Sequence, residues 1–315
     1  MSDATTPLPV PTSVSEQAQQ FLSLALRRTR SMPALDDVEG WLELAKEGNE
    51  FILERFAGFE LPVAVEEVSI AGVPTFILRA EDLAPGRETP IYLDIHGGGL
   101  TIGNGEACRR MTSAGAMTTG LVHWAVDYRM PPLHPYPAAL DDCMAVYVAL
   151  LGERSPQDIF VGGASAGGNL AAALIARAKD EGLPMPAGLV LLTPEVDLTE
   201  SGDSFETNRL ADNVLGSLMQ ANLLYANGRD LADPYISPLF ADVAGFPPTF
   251  LQAGTRDLYL SNTVRMHRKL RAAGVEADLH IFEAMPHGGF GGAPEDIELR
   301  SEVRRFLDAH RRDLR

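Results

Sequence analysis

The chain has 315 residues, enough for one large α/β domain or two modest ones. A chain of that length buries roughly three quarters of its unfolded surface, and 45% hydrophobic with 22% charged residues is an ordinary soluble composition. Its 26 basic against 43 acidic residues leave a net charge of −17, which argues against nucleic acid or an anionic membrane as main partner, since both need a basic footprint.

Two cysteines, Cys108 and Cys143, cannot build a disulfide framework and read as small buried side chains. No run approaches the ~20 apolar residues that span a bilayer, and no positive n-region precedes the first apolar stretch at Phe21–Leu26. The expected location is a reduced cytoplasm.

Residues 1–15 are rich in Pro, Thr and Ser and read as a frayed end. From Val14 to Phe56 apolar residues recur at helical spacing, with Phe21, Leu22, Leu26, Trp41 and Leu42 among them. Pro33 and Gly48 punctuate the stretch, which predicts two or three helices and no early strand. Val63–Ile70 and Val73–Arg79 are β-rich and predict a hairpin turning near Ala71-Gly72.

Beyond Pro90 the pattern alternates. Strands are predicted at Ile91–Ile95, Leu121–Val126, Asp158–Gly162, Gly188–Leu192, Pro248–Ala253 and Ala277–Phe282. Helices are predicted at Arg109–Thr119, Ala138–Leu151, Ser165–Glu181, Leu260–Ala273 and Pro294–Arg312. This is the signature of βαβ units and a mostly parallel sheet covered on both faces. Glu195 to Phe246 breaks the rhythm, with one good helix near Asn213–Tyr225; insertions of this length beside a sheet are usually lids or binding elements.

The strongest local signal is Gly163-Ala164-Ser165-Ala166-Gly167 between a buried strand and a helix. G-x-S-x-G is weak alone, but here it puts a serine on a strained strand-to-helix turn at the ligand-binding edge of the sheet. A glycine-rich turn that only packs is the plainer alternative. The second signal is His96-Gly97-Gly98-Gly99, directly after a strand. Its glycines leave backbone N–H groups free to approach an oxyanion, donors worth about 3–4 kcal/mol each. His96 itself reads as a residue that shapes this loop, with a catalytic role as the alternative.

An activated serine needs a base, and the base an orienting carboxylate. Asp257 and His287 each follow one of the last two strands, on loops at the sheet edge that carries Ser165. The other late histidines fit worse: His267 and His310 fall in helices and His280 in mid-strand. Asp257 could also serve only as a helix cap, and Asp197 is the second choice of carboxylate. Cys108, Cys143 and the histidines show no metal-ligand spacing along the chain.

Over residues 60–312 the chain resembles the hormone-sensitive-lipase-like branch of the α/β-hydrolases, mostly bacterial carboxylesterases. The resemblance rests on His96–Gly99, on the stretch Asp127-Tyr-Arg-Met-Pro-Pro-Leu-His-Pro-Tyr-Pro-Ala-Ala-Leu-Asp-Asp142, on Gly163–Gly168, on Asp197-Leu-Thr and on Asp233-Pro-Tyr-Ile-Ser-Pro-Leu239. It implies an α/β-hydrolase fold with a mostly parallel sheet, helices on both faces and a helical cap. Residues 1–58 would form the cap with part of 200–230, and residues 59–315 the catalytic domain.

The same resemblance implies a serine hydrolase that cleaves short-acyl carboxylic esters through an acyl-enzyme. Ser165 would be the nucleophile, Asp257 the triad acid and His287 the base. Gly97, Gly98 and Ala166 would supply the oxyanion N–H groups, and no cofactor or metal is needed. Lactone hydrolysis, deacetylation and a silent ligand-binding role on the same fold stay open as alternatives. A homodimer paired through the last strand is the family analogy. The chain departs from the family pattern at Ala164, Leu133, Ser261 and Glu195, where Asp or Thr, Glu, Asp and an apolar or aromatic residue are usual. Glu195 reads as a substrate-facing or a solvated charge.

Overall fold

The computed structural model describes residues 8–24, 26, 31–58, 61–81, 83 and 90–311. Residues 1–7 of the expected frayed end, and Arg312 at the expected end of the last helix, lie outside the described residues.

Two helices open the chain, α1 (Glu16–Leu22) and α2 (Val38–Arg55), followed by the hairpin β1 (Val63–Ile70) and β2 (Val73–Ala80). The alternating part is β3 (Ile91–Ile95), α3 (Glu106–Thr119), β4 (Val122–Val126), α4 (Ala138–Glu153), β5 (Ile159–Ala164), α5 (Ala166–Asp180) and β6 (Gly188–Leu192). After two short helices, α6 (Ser204–Thr207) and α7 (Met219–Ala226), come β7 (Thr249–Gly254), α8 (Leu260–Ala272), β8 (Ala277–Phe282) and α9 (Pro294–His310). Every predicted strand is present, with ends that move by a residue or two.

The strands form one eight-stranded sheet in the order β1-β2-β4-β3-β5-β6-β7-β8. β1 and β2 run antiparallel; from β4 onward neighbours are parallel. The period-two alternation of strands sorts the core into two faces. Leu93, Val161, Leu191 and Leu251 join the cluster that includes α4, α5 and α8 residues such as Leu140, Leu170 and Met266. Their chain neighbours Tyr92, Phe160, Val190 and Phe250 pack instead with Val303, Phe306 and Leu307 of α9.

One expected helix is shorter than its pattern. The spacing predicts helix from Asn213, but α7 begins at Met219. Side chains capture the backbone groups that would start it. Asp212 Oδ1 accepts the N–H of Val214 (2.9 Å) and of Leu215 (3.0 Å), and Glu200 Oε1 accepts that of Leu218 (2.8 Å). Such local bonds compete with helix formation.

The N-terminal segment docks on the sheet edge that carries the candidate site. Val14, Ala18 and Leu22 pack with Ala284, Met285 and Phe290, and the rings of Phe21 and Phe290 meet edge to face at 6.1 Å. In α2 only Trp41 is buried, and Leu42, expected on the buried face, is 42% exposed. Beside Trp41, the helix sets Gly48 against the Ile102 side chain and adds polar contacts: Asn49 Oδ1 accepts the Gly103 N–H at 2.7 Å and Asn49 Nδ2 donates to Asn104 at 2.7 Å.

Candidate active site

Ser165 sits between β5 and α5 with φ 57° and ψ −123°, a conformation that non-glycine residues avoid and that costs on the order of 1–3 kcal/mol. Its surroundings hold it there. A Cβ on Gly167 would collide with the Ile95 carbonyl oxygen, and one on Gly163 would lie 2.5 Å from that same oxygen. Only glycine lets α5 begin this close to the end of β3. The Ser165 N–H donates to the Leu192 carbonyl at 2.9 Å, and its carbonyl accepts from the Glu195 N–H at 3.2 Å. The turn is thus tied to the end of β6.

The structure brings Ser165, Asp257 and His287 together. His287 Nε2 stands 3.0 Å from Ser165 Oγ, and Nδ1 stands 3.1 Å from Asp257 Oδ1. Asp257 is fully buried, and its Oδ1 also accepts the Tyr259 N–H at 2.9 Å, so the carboxylate caps its own turn as well as meeting the imidazole. Asp197 is elsewhere. It accepts from Thr199, Ser201 (2.7 Å) and Arg265 (2.6 Å) and makes no bond to His287.

Two supporting residues carry no sequence signal. Thr193, the first residue after β6, donates its hydroxyl to Asp257 Oδ2 and accepts from His287 Nδ1 at 2.8 Å. A threonine after a buried strand is too common to single out. Asp212 Oδ2 accepts the backbone N–H of Leu258 (2.9 Å) and of His287 (3.2 Å), joining the two loops that carry the acid and the base. Its distance along the chain from both hides this.

The Gly97–Gly99 segment lies against the serine: a Cβ on Gly97 would stand 3.3 Å from Ser165 Cβ. Gly98 (φ 123°) and Gly99 (φ 57°) adopt backbone conformations that favour glycine. Ala166 is the first residue of α5, so its N–H has no partner within the helix. Among the described residues no protein acceptor takes the N–H of Gly97 or Gly98. His96 is buried, and burial lowers its pKa to about 4, so at neutral pH it is an uncharged imidazole. Its Nδ1 donates to the Gly97 carbonyl at 2.7 Å, the loop-shaping contact expected for it.

Charge around His287 is unbalanced in favour of the imidazolium. Burial pushes its pKa down, but Asp257, Asp212 and Glu195 outweigh burial and raise it above the usual value. Glu195 is neither solvated nor open to a substrate; it is 0% exposed. Burial raises its pKa to about 7, with Tyr259 and Asn222 favouring the charged form and Glu200 opposing it. Neither carboxylate oxygen completes a hydrogen bond among the described residues. A cavity of about 450 Å³ lies behind the serine turn, lined by Gly163, Ala164, Tyr92 and Asp94, but neither Ser165 nor His287 contributes to its wall.

A serine hydroxyl, an imidazole and a buried carboxylate in series, beside free backbone donors at a strand-to-helix turn, match the chemistry of acyl transfer. A family model described as alpha/beta hydrolase fold matches residues 92–290. The chain belongs to the α/β-hydrolase fold family. It is 35% identical to an esterase of Acinetobacter venetianus over 228 residues, which are 71% of this chain and 74% of that protein. It is 33% identical to the carboxylic ester hydrolase LipN of Mycobacterium tuberculosis over 282 residues, 81% of this chain and 74% of that one.

Among solved structures it resembles esterase E25, with a TM-score of 0.87, 36% identity and 99% of each chain covered. It also resembles an esterase from the bacterial hormone-sensitive lipase family, with a TM-score of 0.82 and 30% identity over 94% of this chain and 98% of that one. The α/β-hydrolase is a carboxylesterase-type enzyme of the hormone-sensitive-lipase-like branch, and it hydrolyses esters. Among the described residues no helix is long and apolar enough to cross a membrane.

Proposed function

We propose that ester hydrolysis runs through a covalent acyl-enzyme on Ser165. His287 Nε2 takes the hydroxyl proton as Oγ bonds to the acyl carbon. The resulting oxyanion accepts from the N–H groups of Gly97, Gly98 and Ala166. The imidazolium, stabilised by Asp257, then gives its proton to the leaving alcohol as the C–O bond breaks. Water repeats the sequence, frees the acid and restores the serine. The chain, the ester and water supply every proton and bond. The observation that carries this reading is the bonded series Ser165 Oγ–His287 Nε2 (3.0 Å) and His287 Nδ1–Asp257 Oδ1 (3.1 Å).

In this reading residues 1–58 are a cap, joined by part of 200–230, on a catalytic domain of residues 59–315. Support comes from α1 packing on the loop that holds His287, and from Asn213 Nδ2 donating to the carbonyls of Phe21 and Leu24 at 3.0 Å each. A cap in that place bounds the acyl pocket. Each methylene that fits gains about 0.8 kcal/mol, and one that clashes costs more. The substrates are therefore short-acyl esters, roughly acetyl to hexanoyl, with lactones and acetylated compounds open to the same machinery. The free cysteines suit a reduced cytoplasm, and the net charge of −17 disfavours polyanionic partners. A homodimer completes the proposal.

Mixing the enzyme with excess p-nitrophenyl acetate tests the covalent step. A burst of p-nitrophenol equal to the enzyme present is expected, and a serine-directed organophosphate should add mass only to the peptide carrying Ser165. Ligand binding without turnover, or labelling elsewhere, refutes the assignment.

A further inference from the structure

A second group of reactive side chains lies behind the glycine loop, apart from the serine. His96 ends the run from β3, Asp127 follows β4, and Cys108 sits in the first turn of α3. One ligand atom from each lies within 4.8 Å of the others. We propose that His96, Cys108 and Asp127 bind a single divalent cation of the zinc class, and that its binding restrains the oxyanion loop and slows turnover.

The ligand set has the right chemistry and an unspent member. An imidazole, a thiol and a carboxylate suit Zn²⁺ and not Mg²⁺ or Ca²⁺, which take oxygen ligands. The Gly97 carbonyl can only accept, so the 2.7 Å contact places the proton of His96 on Nδ1 and leaves the lone pair on Nε2. That Nε2 is buried without a partner among the described residues, in a residue only 3% exposed. An N–H held by a backbone carbonyl is the arrangement that orients metal-binding histidines. The ring is further fixed by stacking on Tyr128 at 4.1 Å, while the Tyr128 hydroxyl donates to the His96 carbonyl at 2.9 Å.

Cys108 is a free, buried thiol packed among Phe76, Leu78 and Ala125, and its one hydrogen bond among the described residues is a long one, 3.8 Å from Sγ to the Val126 carbonyl oxygen. Asp127 uses Oδ1 to accept the Gly105 N–H at 2.8 Å, and Oδ2 has no partner among the described residues. Of the three, Asp127 faces a cavity of about 260 Å³ whose wall includes the exposed Leu42 and Leu133.

Metal–ligand bonds of about 2.0–2.3 Å around a tetrahedron put ligand atoms roughly 3.5 Å apart, so the set must draw inward on binding. The thiol proton leaves to solvent as the metal–sulfur bond forms. His96 adjoins Gly97, so the inward pull displaces the backbone donors that face Ser165. Misplaced donors cost rate, not substrate affinity.

Co²⁺ titration of the full-length protein provides a readout independent of activity. One equivalent should produce a near-ultraviolet thiolate-to-cobalt absorption. Cys108→Ser should abolish that absorption, weaken Zn²⁺ at least tenfold in competition with a chromophoric chelator, and keep metal-free activity within twofold. Asp127→Asn should weaken Zn²⁺ with the absorption kept. Zn²⁺ should lower kcat of the native protein at least tenfold with KM little changed, reversibly on chelation, and leave the Cys108→Ser enzyme active. Saturating Co²⁺ without the sulfur absorption overturns the site. Equal Zn²⁺ inhibition of both proteins places the inhibitory metal elsewhere, and binding through Cys108 with kcat unchanged overturns the coupling to the loop.

Discussion

The serine turn and helix α2 both touch the glycine loop after β3, and they are built by opposite rules. At the turn, carbonyl groups approach so closely that only glycine is accommodated at positions 163 and 167. Its conformation is over-determined and its serine has one place to be. In α2 Trp41 alone is buried, and the helix meets the loop through Gly48, set against the Ile102 side chain, and through Asn49. With residues 1–58 read as the proposed cap, the difference separates two tasks. Bond making needs groups held to a fraction of an ångström, whereas bounding a substrate pocket needs only shape and exclusion of water.

Four expected outcomes test how far that division holds, beginning with the rigid side. Ser165→Ala should fold normally, by circular dichroism, yet lose at least on the order of 10⁴-fold in kcat/KM, because the nucleophile acts as a unit with its base. Substantial remaining activity would mean that the strained turn holds something other than the nucleophile.

Asp257→Asn should lower kcat on the order of 10³- to 10⁴-fold by presenting the wrong imidazole tautomer. Asp197→Asn provides the contrast. Its partners are Thr199, Ser201 and Arg265, so it should lose thermal stability and change kcat only severalfold. Reversed effects would move the triad acid to Asp197.

Removing residues 1–35 acts on the adaptable side. It strips α1 from the His287 loop while leaving the sheet intact. The rate on p-nitrophenyl acetate and butyrate should fall roughly 10–100-fold, with the circular dichroism of the core retained. A panel from C2 to C16 should peak at C6 or shorter for the full-length protein. A peak at C12 or longer, or a truncated enzyme with native kinetics, would show that these residues do not bound the pocket.

The smallest effect probes Glu195, buried within the rigid region beside Tyr259 and Asn222. An exposed glutamate ionises near 4.5, while Glu195 holds its proton up to about 7. The unfolded chain therefore releases that proton first, and the native state loses stability as pH rises from about 4.5 to 7, by on the order of 3 kcal/mol. Glu195→Gln should remove this, so its Tm should fall less between pH 5 and pH 8 than that of the native protein. It also removes one of the carboxylates that raise His287, so the rise of kcat/KM with pH, which follows loss of the imidazolium proton, should move to lower pH. An unmoved profile would show that Glu195 does not act on His287 electrostatically.

Some of this protein was legible in the chain alone, because the features concerned are local. Alternating apolar strands and helices set the parallel sheet. Gly163 to Gly167 carry the turn in their own small side chains, and Asp257 and His287 lie just past strand ends, where the topology must bring them to Ser165. Other features were decided only by the tertiary structure, because they depend on partners far along the chain. Thr193 meets Asp257 and His287 across 64 and 94 positions of sequence. The start of the helix expected at Asn213 is lost to side chains of Asp212 and Glu200 that capture its backbone N–H groups. Glu195 reads as a substrate-facing or solvated charge until the sheet closes around it. His96, Cys108 and Asp127 have no metal-ligand spacing in sequence, since one comes from α3 and the others follow the ends of β3 and β4. Periodicity and turn chemistry act over a few residues, whereas burial and side-chain partnership exist only once distant segments have packed.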